Sequence, residues 1–146
     1  MANLPTHISL AYEVASKVDH PIIQGHLGRF LLGSTSPDIR IMTKWKRDQT
    51  HFAPLSVERV GAGVTGLWEA HPELVDSAWL GDETKAFLSG YFTHLVSDET
   101  WIVNIYRPYF DGQDDGASRI RDNLWDRAVQ LDMDRTAWDG LGGIDR

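Results

Sequence analysis

The sequence predicts an all-α protein, folded as a single compact bundle of several helices over residues 1–146. Apolar residues recur at intervals of three and four, which is the helical period, along five segments. Almost no segment alternates apolar with polar residues as a half-buried strand does. Apolar residues fill 42% of the 146 positions, enough to bury one core, and the absence of cysteine excludes a disulfide framework.

The first two helices are marked at their starts by a hydroxyl and a proline. Thr6 can cap the first helix, and Pro21 suits the first position of the second. Gly33, ahead of the sequence STSP, is a suitable stop for the second helix, so we expect Asp38 in a loop. The apolar positions that predict these helices are Ile8, Ala11, Val14, Ala15 and Val18, then Ile22, Ile23, Leu27, Phe30 and Leu31.

Pro54 is expected to begin a third helix, and Asp82 a fourth, because proline and acidic residues both suit a first turn. Three glycines in the third helix lower its propensity but allow close helix packing. The fourth helix is the longest and most apolar, and Pro108 is expected to end it. The positions behind these statements are Val57, Val60, Gly61, Gly63, Val64, Gly66, Leu67 and Trp68, then Phe87, Tyr91, Leu95, Ile102 and Ile105.

A fifth helix is predicted near the C-terminus. Its apolar residues have helical spacing and are expected to point inward. They are Ile120, Leu124, Ala128 and Leu131. We expect residues 134–146 to form a frayed tail.

The charge of the chain argues against nucleic acid as a partner. The formal net charge is -7, and the segment from Asp111 to Arg146 holds nine acidic residues against five arginines. A basic patch such as KWKRD, from Lys44 to Asp48, could meet one phosphate, but it is interpreted as a solvated loop, the more common role. No segment approaches the roughly 20 apolar residues of a membrane span, and the N-terminus lacks the pattern of a signal peptide. We therefore expect a soluble, cytoplasmic protein.

His94 and Asp98 form the most informative pair in the sequence. They lie four residues apart in LSGYFTHLVSDETW, which puts both side chains on one face of a helix. Burying a carboxylate in such an apolar stretch is costly unless a cation or hydrogen-bond donors compensate it. The spacing favours metal chelation, and a hydrogen bond on the helix surface is the alternative.

Three earlier fragments carry further groups of the same kind: His7 in PTHISLA, Asp38 in GSTSPDIR and His51 in THFAP. Each residue taken alone is more often a hydrogen-bonded core or surface residue than a ligand. A folded helix bundle, however, can gather such side chains around one interior site. Together with the His94 pair they would give nitrogen and oxygen ligands for zinc, and iron, manganese and nickel suit the same donors.

These fragments also follow one another in a recognisable order: THISLA, LGRFLLGSTSPDIR, THF and GYFTHLVSDETW. The order resembles the zinc-dependent phospholipase C family, which shares its fold with the S1/P1-type zinc nucleases. The resemblance covers roughly the first two-thirds of the chain and is strongest over residues 4–110. It implies that Asp38, His51, His94 and Asp98 surround one metal ion. It further implies that His7 and the second oxygen of Asp98 hold a neighbouring ion.

The chain also departs from the secreted phospholipases of that family. Those enzymes use a further histidine and a His-x-x-x-Glu pair downstream, whereas no histidine follows His94 here. We therefore expect their remaining metal site to be absent. The resemblance then implies a short, divergent, non-secreted member that holds one or two zinc ions.

The resemblance implies a metal-dependent hydrolase of phosphoric esters, phospholipase C-like, that uses metal-activated water. Asp38 is the expected catalytic residue, because a carboxylate beside the metal can orient or deprotonate the attacking water. The expected substrate is a small-molecule or lipid phosphoester, and no residue is assigned to its binding. Arg40 and Arg107 are candidates for a phosphate contact, although a structural ion pair is the more common role for each.

Other residues near these motifs have more general interpretations. Glu99 and Thr93 flank the ligands and are expected to contact and orient them. The large aromatic residues are expected in the core, with an apolar substrate pocket as the alternative. They are Trp45, Phe52, Trp79 and Trp101.

Two alternatives keep the metal site and change its role. A mononuclear or dinuclear centre can act as a Lewis acid in another hydrolysis, an isomerisation or a lyase reaction. A metal can also stabilise a helical domain or sense metal supply, with every ligand position filled by protein. A partner chain that completes the site would make the protein a homo-oligomer.

Overall fold

The computed structural model describes residues 4–111 and 116–142, and within these ranges the fold is all-α, without strands. The α-helices are α1 Leu4–Val18, α2 Pro21–Gly25, α3 Leu27–Thr35, α4 Arg40–Thr43, α5 Asp48–His51, α6 Ala62–Ala70, α7 Asp82–Trp101, α8 Arg107–Phe110 and α9 Gly116–Leu141. Short 3-10 turns span Ser36–Ile39, Pro72–Leu74 and Ser77–Trp79, and a π-helical turn spans Ile102–Tyr106. None of the described helices is both long and apolar enough to cross a lipid bilayer.

The bundle is built around the crossing of α3 and α7. Gly33 and Gly90 lie at this crossing, and a Cβ added to either would overlap the backbone of the other helix, at Phe87 and Phe30 respectively. Because neither glycine has a side chain, the two backbones are in direct contact. The apolar core beside the crossing consists of Ala11, Ala15, Ile23, Phe30 and Ala86.

The starts of the first two helices are partly as predicted. Pro21 begins α2, and Nδ1 of His20 accepts a hydrogen bond from the first turn at 3.2 Å. The prediction that Thr6 caps α1 is wrong, because α1 begins at Leu4 and the Thr6 hydroxyl instead donates to Asp134 in α9 at 2.6 Å.

Two expectations for the second predicted helix are also wrong. His26 separates α2 from α3, and Gly33 does not end α3, which continues to Thr35. The glycine is needed for the contact with α7 rather than for a stop. Asp38 lies in the 3-10 turn Ser36–Ile39 instead of an irregular loop.

The third predicted helix begins later than expected. α6 starts at Ala62, and Pro54 lies in the preceding loop. Gly61 has a φ of +98°, which favours glycine, and the carboxylate of Glu99 accepts the backbone N–H groups of Gly61 and Gly63 at 2.5 Å each. These bonds fix the turn that precedes α6. Close packing at the glycines, as predicted, is found at Gly63.

The fourth predicted helix starts at Asp82 as expected but does not end at Pro108. After Trp101 the chain passes through the π-helical turn and continues as α8. Pro108 occupies the first turn of α8, the part of a helix in which proline is common.

The last helix exposes the face that was predicted to be inward. The four apolar residues that predicted it are all exposed: Ile120, Leu124, Ala128 and Leu131. The buried positions of α9 are Asp126, Gln130, Asp134 and Ala137. The inward face of this helix is therefore largely polar.

That polar face is buried because its groups are hydrogen-bonded to other helices and to one another. Asp126 accepts from the indole N–H of Trp101 at 3.0 Å and from Gln130 at 2.7 Å, and Asp134 accepts from Thr6. Residues 134–141, where a frayed tail is predicted, continue α9 with Asp134 buried, and residues 143–146 lie outside the described part.

Candidate metal centre

Five side chains from separate parts of the chain converge beside the α3–α7 crossing. They are His7 of α1, Asp38 of the 3-10 turn, His51 at the end of α5, and His94 and Asp98 on successive turns of α7. Four of the five are at most 3% exposed, whereas the side chain of Asp38 is 13% exposed. The fold thus brings together all of the residues that were predicted from the sequence to form a metal site.

Asp98 presents its two carboxylate oxygens to different histidines. Its Oδ1 lies 3.5 Å from Nε2 of His7. Its Oδ2 lies 3.2 Å from Nε2 of His51 and 3.8 Å from Nε2 of His94. This division has the form of the bridging position that the family resemblance implies for Asp98.

Several distances between donor atoms are close to those around a zinc ion. Bonds of roughly 2.0–2.1 Å around a tetrahedral zinc ion place neighbouring ligand atoms about 3.3 Å apart. The Nε2 atoms of His51 and His94 are 3.3 Å apart, and Oδ1 of Asp38 lies 3.7 Å from the former and 4.0 Å from the latter. Oδ2 of Asp98 lies near the same two histidine nitrogens. Asp38, His51 and His94 are therefore close enough together to hold a metal ion, with Asp98 as a further donor.

The ring of His94 is oriented by the backbone of α3. Its Nδ1 lies 2.8 Å from the carbonyl oxygen of Ser34, and a carbonyl oxygen can only accept, so Nδ1 carries the proton of this bond. The neutral ring then has its lone pair on Nε2, which faces the cluster. Metal-binding histidines commonly use their second nitrogen in this way.

The other two histidines are oriented by hydroxyl groups. Nδ1 of His51 lies 3.0 Å from Oγ1 of Thr50, and Nδ1 of His7 lies 3.3 Å from Oγ of Ser97, which itself donates to the His94 carbonyl at 2.8 Å. The His7 ring also stacks on the His94 ring at a centroid distance of 3.9 Å. As a result, Nε2 of all three histidines faces the two aspartates.

The two carboxylates differ in how readily they ionise. Burial raises the pKa of Asp98, but the neighbouring His51, His7 and His94 rings outweigh it and hold that pKa well below its usual range. Burial and the negative charge of Asp98 raise the pKa of Asp38. Asp98 is therefore the permanent anion of the pair, and Asp38 is the stronger base.

Burial keeps His94 in the neutral form that a metal requires. Desolvation by burial, with the neighbouring His7 ring as a second contribution, lowers the pKa of His94 to about 3. Metal ligation by histidine needs this unprotonated ring. No proton has to leave His94 before a metal binds at neutral pH.

Two buried atoms of the cluster have no hydrogen-bond partner among the described residues. They are Nε2 of His7 and Oδ1 of Asp38. Leaving a buried polar atom without a partner costs roughly 1–3 kcal/mol, and a bound cation would satisfy both. Together with the nitrogen and oxygen donor set, these atoms fit a zinc site.

Arg47 is the residue of this site that was not predicted. Its guanidinium donates from Nη1 and Nη2 to Oδ2 of Asp98, each at 3.2 Å. Burial lowers the pKa of Arg47, and the charge of Asp98 opposes this. Arg47 belongs to the patch KWKRD, which was interpreted as a solvated loop. The local sequence carries no signal for this role, because Asp98 lies 51 residues away.

Glu99 and Thr93, which were expected to orient the metal ligands, form hydrogen bonds elsewhere. Glu99 binds the turn before α6, and the Thr93 hydroxyl donates to the Ser89 carbonyl at 2.9 Å. Arg107 donates to the backbone carbonyl of Val57 at 2.6 Å, a structural role. The ligand rings form their hydrogen bonds instead with the Ser34 carbonyl oxygen and with the hydroxyl groups of Thr50 and Ser97.

The aromatic residues have no common role. Trp45 and Trp79 are exposed, so the expectation that they lie in the core is wrong. Phe52 packs edge-on against His71 at 5.8 Å, and Trp101 donates to Asp126. Trp45 and Trp79 lie in segments whose residues are mostly exposed. The apolar character of a tryptophan does not by itself reveal this.

Comparison with known proteins agrees with this geometry. Residues 6–101 match the family model described as zinc dependent phospholipase C. The searches of curated proteins and of solved structures find no match. The matched range contains all five clustered histidines and aspartates, and the family and the buried cluster together support Zn²⁺ as the cofactor. The chain belongs to the zinc-dependent phospholipase C family.

Proposed function

We propose that this protein is a zinc-dependent hydrolase of phosphoric esters, with His7, Asp38, His51, His94 and Asp98 as its metal ligands. The convergence of three Nε2 atoms and two carboxylates in one buried cluster carries the proposal, together with the family match over residues 6–101. Zinc prefers these donors, and catalytic zinc sites in other proteins use the same residue types. Family membership alone would support only the fold and the cofactor.

When bound, zinc would supply Lewis acidity, which makes water acidic enough to attack near neutral pH and stabilises negative charge on the phosphoryl oxygens. Asp38 is the residue best suited to hold the attacking water or take its proton. It is the most exposed member of the cluster, so it is the ligand that water can reach most easily. Asp98 and the three histidines hold the charge and geometry of the site.

The spacing of the ligands suggests different roles for two ions. Asp38, His51, His94 and Asp98 would fill the four positions of one tetrahedral site. His7 and Oδ1 of Asp98 offer fewer protein ligands to a second ion, which leaves positions for water or substrate. In the hydrolase, water or substrate would take a position that the protein ligands leave open.

A structural metal is the second candidate function, and the filled four-ligand set favours it. A zinc ion held by four protein ligands, each buried or nearly so, has no position for substrate. In that case zinc would stabilise the bundle without turnover. Both candidate functions use the four-ligand site. Only the hydrolase also uses His7, as a ligand of the second ion.

Reconstitution with zinc separates these candidates. Chelator-treated protein, with and without added Zn²⁺, would be assayed with chromogenic phosphoesters while its melting temperature is recorded. The hydrolase predicts turnover that chelator abolishes and zinc restores, and that His71→Ala, a remote exposed histidine, leaves intact. Zinc binding that raises the melting temperature without any turnover would favour the structural role, and full turnover in zinc-free protein would reject the proposal.

A further inference from the structure

A cleft of about 540 Å³ opens beside the cluster. Its lining includes three arginines: Arg40, Arg47 and Arg127 of α9. The π-helical turn contributes Tyr106 to the wall, next to Trp101. Such local π geometry often occurs at functional sites because it re-aims side chains.

Two of these arginines connect the cleft to the cluster. Arg47 is bonded to Asp98, and Nε of Arg40 lies 4.0 Å from Oδ1 of Asp38. That Nε atom is buried and has no hydrogen-bond partner among the described residues. These two guanidinium groups therefore connect the cleft to the two aspartates of the cluster.

The cleft carries a net positive charge in a chain whose net charge is -7. With zinc bound, the charges of Asp38 and Asp98 are balanced by the ion. The lining then holds three arginines and one carboxylate, Asp126, which leaves two positive charges. Asp126 does not offer a site for a cation, since both of its oxygens already accept hydrogen bonds.

We propose that this cleft selects a dianionic phosphate, so that the substrates are phosphomonoesters with an apolar or aromatic alcohol. The inference rests on the proposed function. The guanidiniums would bind the phosphoryl oxygens, and the Trp101 and Tyr106 wall would face the alcohol. In the reaction, the water oxygen forms a bond to phosphorus, the ester P–O bond breaks, and the alcohol oxygen takes a proton. The products are inorganic phosphate and the alcohol.

The first test measures inorganic phosphate binding to zinc-loaded protein by calorimetry, which does not depend on turnover. Arg127→Gln and Arg40→Gln should each weaken phosphate binding roughly tenfold or more at unchanged zinc content. Arg127 is exposed, so its variant is expected to fold. Arg29→Gln is the matched control, because Arg29 pairs with Glu83 outside the cleft, and it should leave the affinity unchanged.

The second test compares p-nitrophenyl phosphate with p-nitrophenyl phosphorylcholine, whose headgroup adds a positive charge. The cleft predicts a higher kcat/KM for the monoester, and a loss of that preference in Arg127→Gln. Phosphate affinity that is the same in the Arg127, Arg40 and Arg29 variants would overturn the inference even if turnover is found. Arginine-dependent phosphate binding without turnover would support the anion site and refute the hydrolase.

Discussion

Nδ1 of His94 lies 2.8 Å from the carbonyl oxygen of Ser34, where α3 and α7 cross. The distance is short because Gly33 and Gly90 let the two backbones touch. The same contact that packs the two helices therefore fixes which nitrogen of His94 faces the cluster. Helix packing and ligand orientation depend on one another in this protein.

A methyl group at the crossing should disturb both the packing of α3 against α7 and the orientation of His94. In Gly90→Ala the new Cβ would overlap the Phe30 carbonyl, so the helices must separate, at a cost of about 1–3 kcal/mol or more in the free energy of unfolding. Loss of the Ser34 bond should also lower zinc affinity by roughly 10–100-fold. Denaturant unfolding and competition with a chelating dye measure the two effects.

Gly28→Ala is the matched control for that variant. Gly28 lies in the same α3 helix, and a Cβ there meets nothing within 4 Å. Its replacement should raise stability by up to about 1 kcal/mol, because alanine is the better helix former, and leave zinc affinity unchanged. If Gly90→Ala behaves like Gly28→Ala, the crossing does not position His94.

The zinc-free protein should lose stability as the pH falls below 6.5. The pKa of about 3 that burial gives His94 lies below the ordinary value of 6.5, so the unfolded chain takes up this proton first. The contribution of His94 to the free energy of unfolding is therefore constant above pH 6.5. It falls between pH 6.5 and about 3, by at most about 1.4 kcal/mol per pH unit. The lowered pKa of Asp98 adds a further loss below its ordinary value of 3.8.

Ring-carbon NMR of the zinc-free protein would test the His94 part of this prediction. The His94 ring should keep the chemical shifts of a neutral imidazole protonated on Nδ1 throughout the range in which the protein stays folded. A His94 ring that becomes protonated above about pH 5 in folded protein would show that burial does not hold it neutral.

Arg47→Gln should destabilise the zinc-free protein more than the zinc-bound one. Without metal, Arg47 provides two of the donors to the nearly buried Asp98 carboxylate, and removal of one partner of such a pair costs roughly 3–5 kcal/mol. With zinc bound, the ion would compensate the same charge, so the loss should be smaller. Melting temperatures of both proteins, with zinc and with chelator, measure the difference. An equal loss in the two states would mean that zinc and Arg47 do not act on the same carboxylate.

The sequence predicts the cluster better than it predicts the helix boundaries. His94 and Asp98 are identifiable because helical spacing puts them on one face, and the fragments around His7, Asp38 and His51 follow the order of a known family. Arg47 could not be recognised in the same way, because a basic patch is typical of a solvated surface and its partner is not evident from the local sequence. Its partner, Asp98, is 51 residues away in sequence.

The last helix shows a second limit of sequence patterns. Its apolar residues have helical spacing, yet Leu124 is 66% exposed while Asp126 and Gln130 are buried. Hydrophobic periodicity assumes that the polar side faces water. Here the polar side is satisfied by Trp101 and by bonds within the helix, which no local pattern encodes.

The measurement that tests the central claim most directly is zinc content per chain in Asp98→Asn and Glu99→Gln. The two carboxylates are adjacent and equally buried, but Asp98 faces the histidines whereas Glu99 binds the amides of Gly61 and Gly63. We predict that Asp98→Asn loses most of its zinc, while Glu99→Gln keeps it and is less stable by about 1–3 kcal/mol. Full zinc content in Asp98→Asn, measured on folded protein beside Glu99→Gln, would contradict the proposed metal centre.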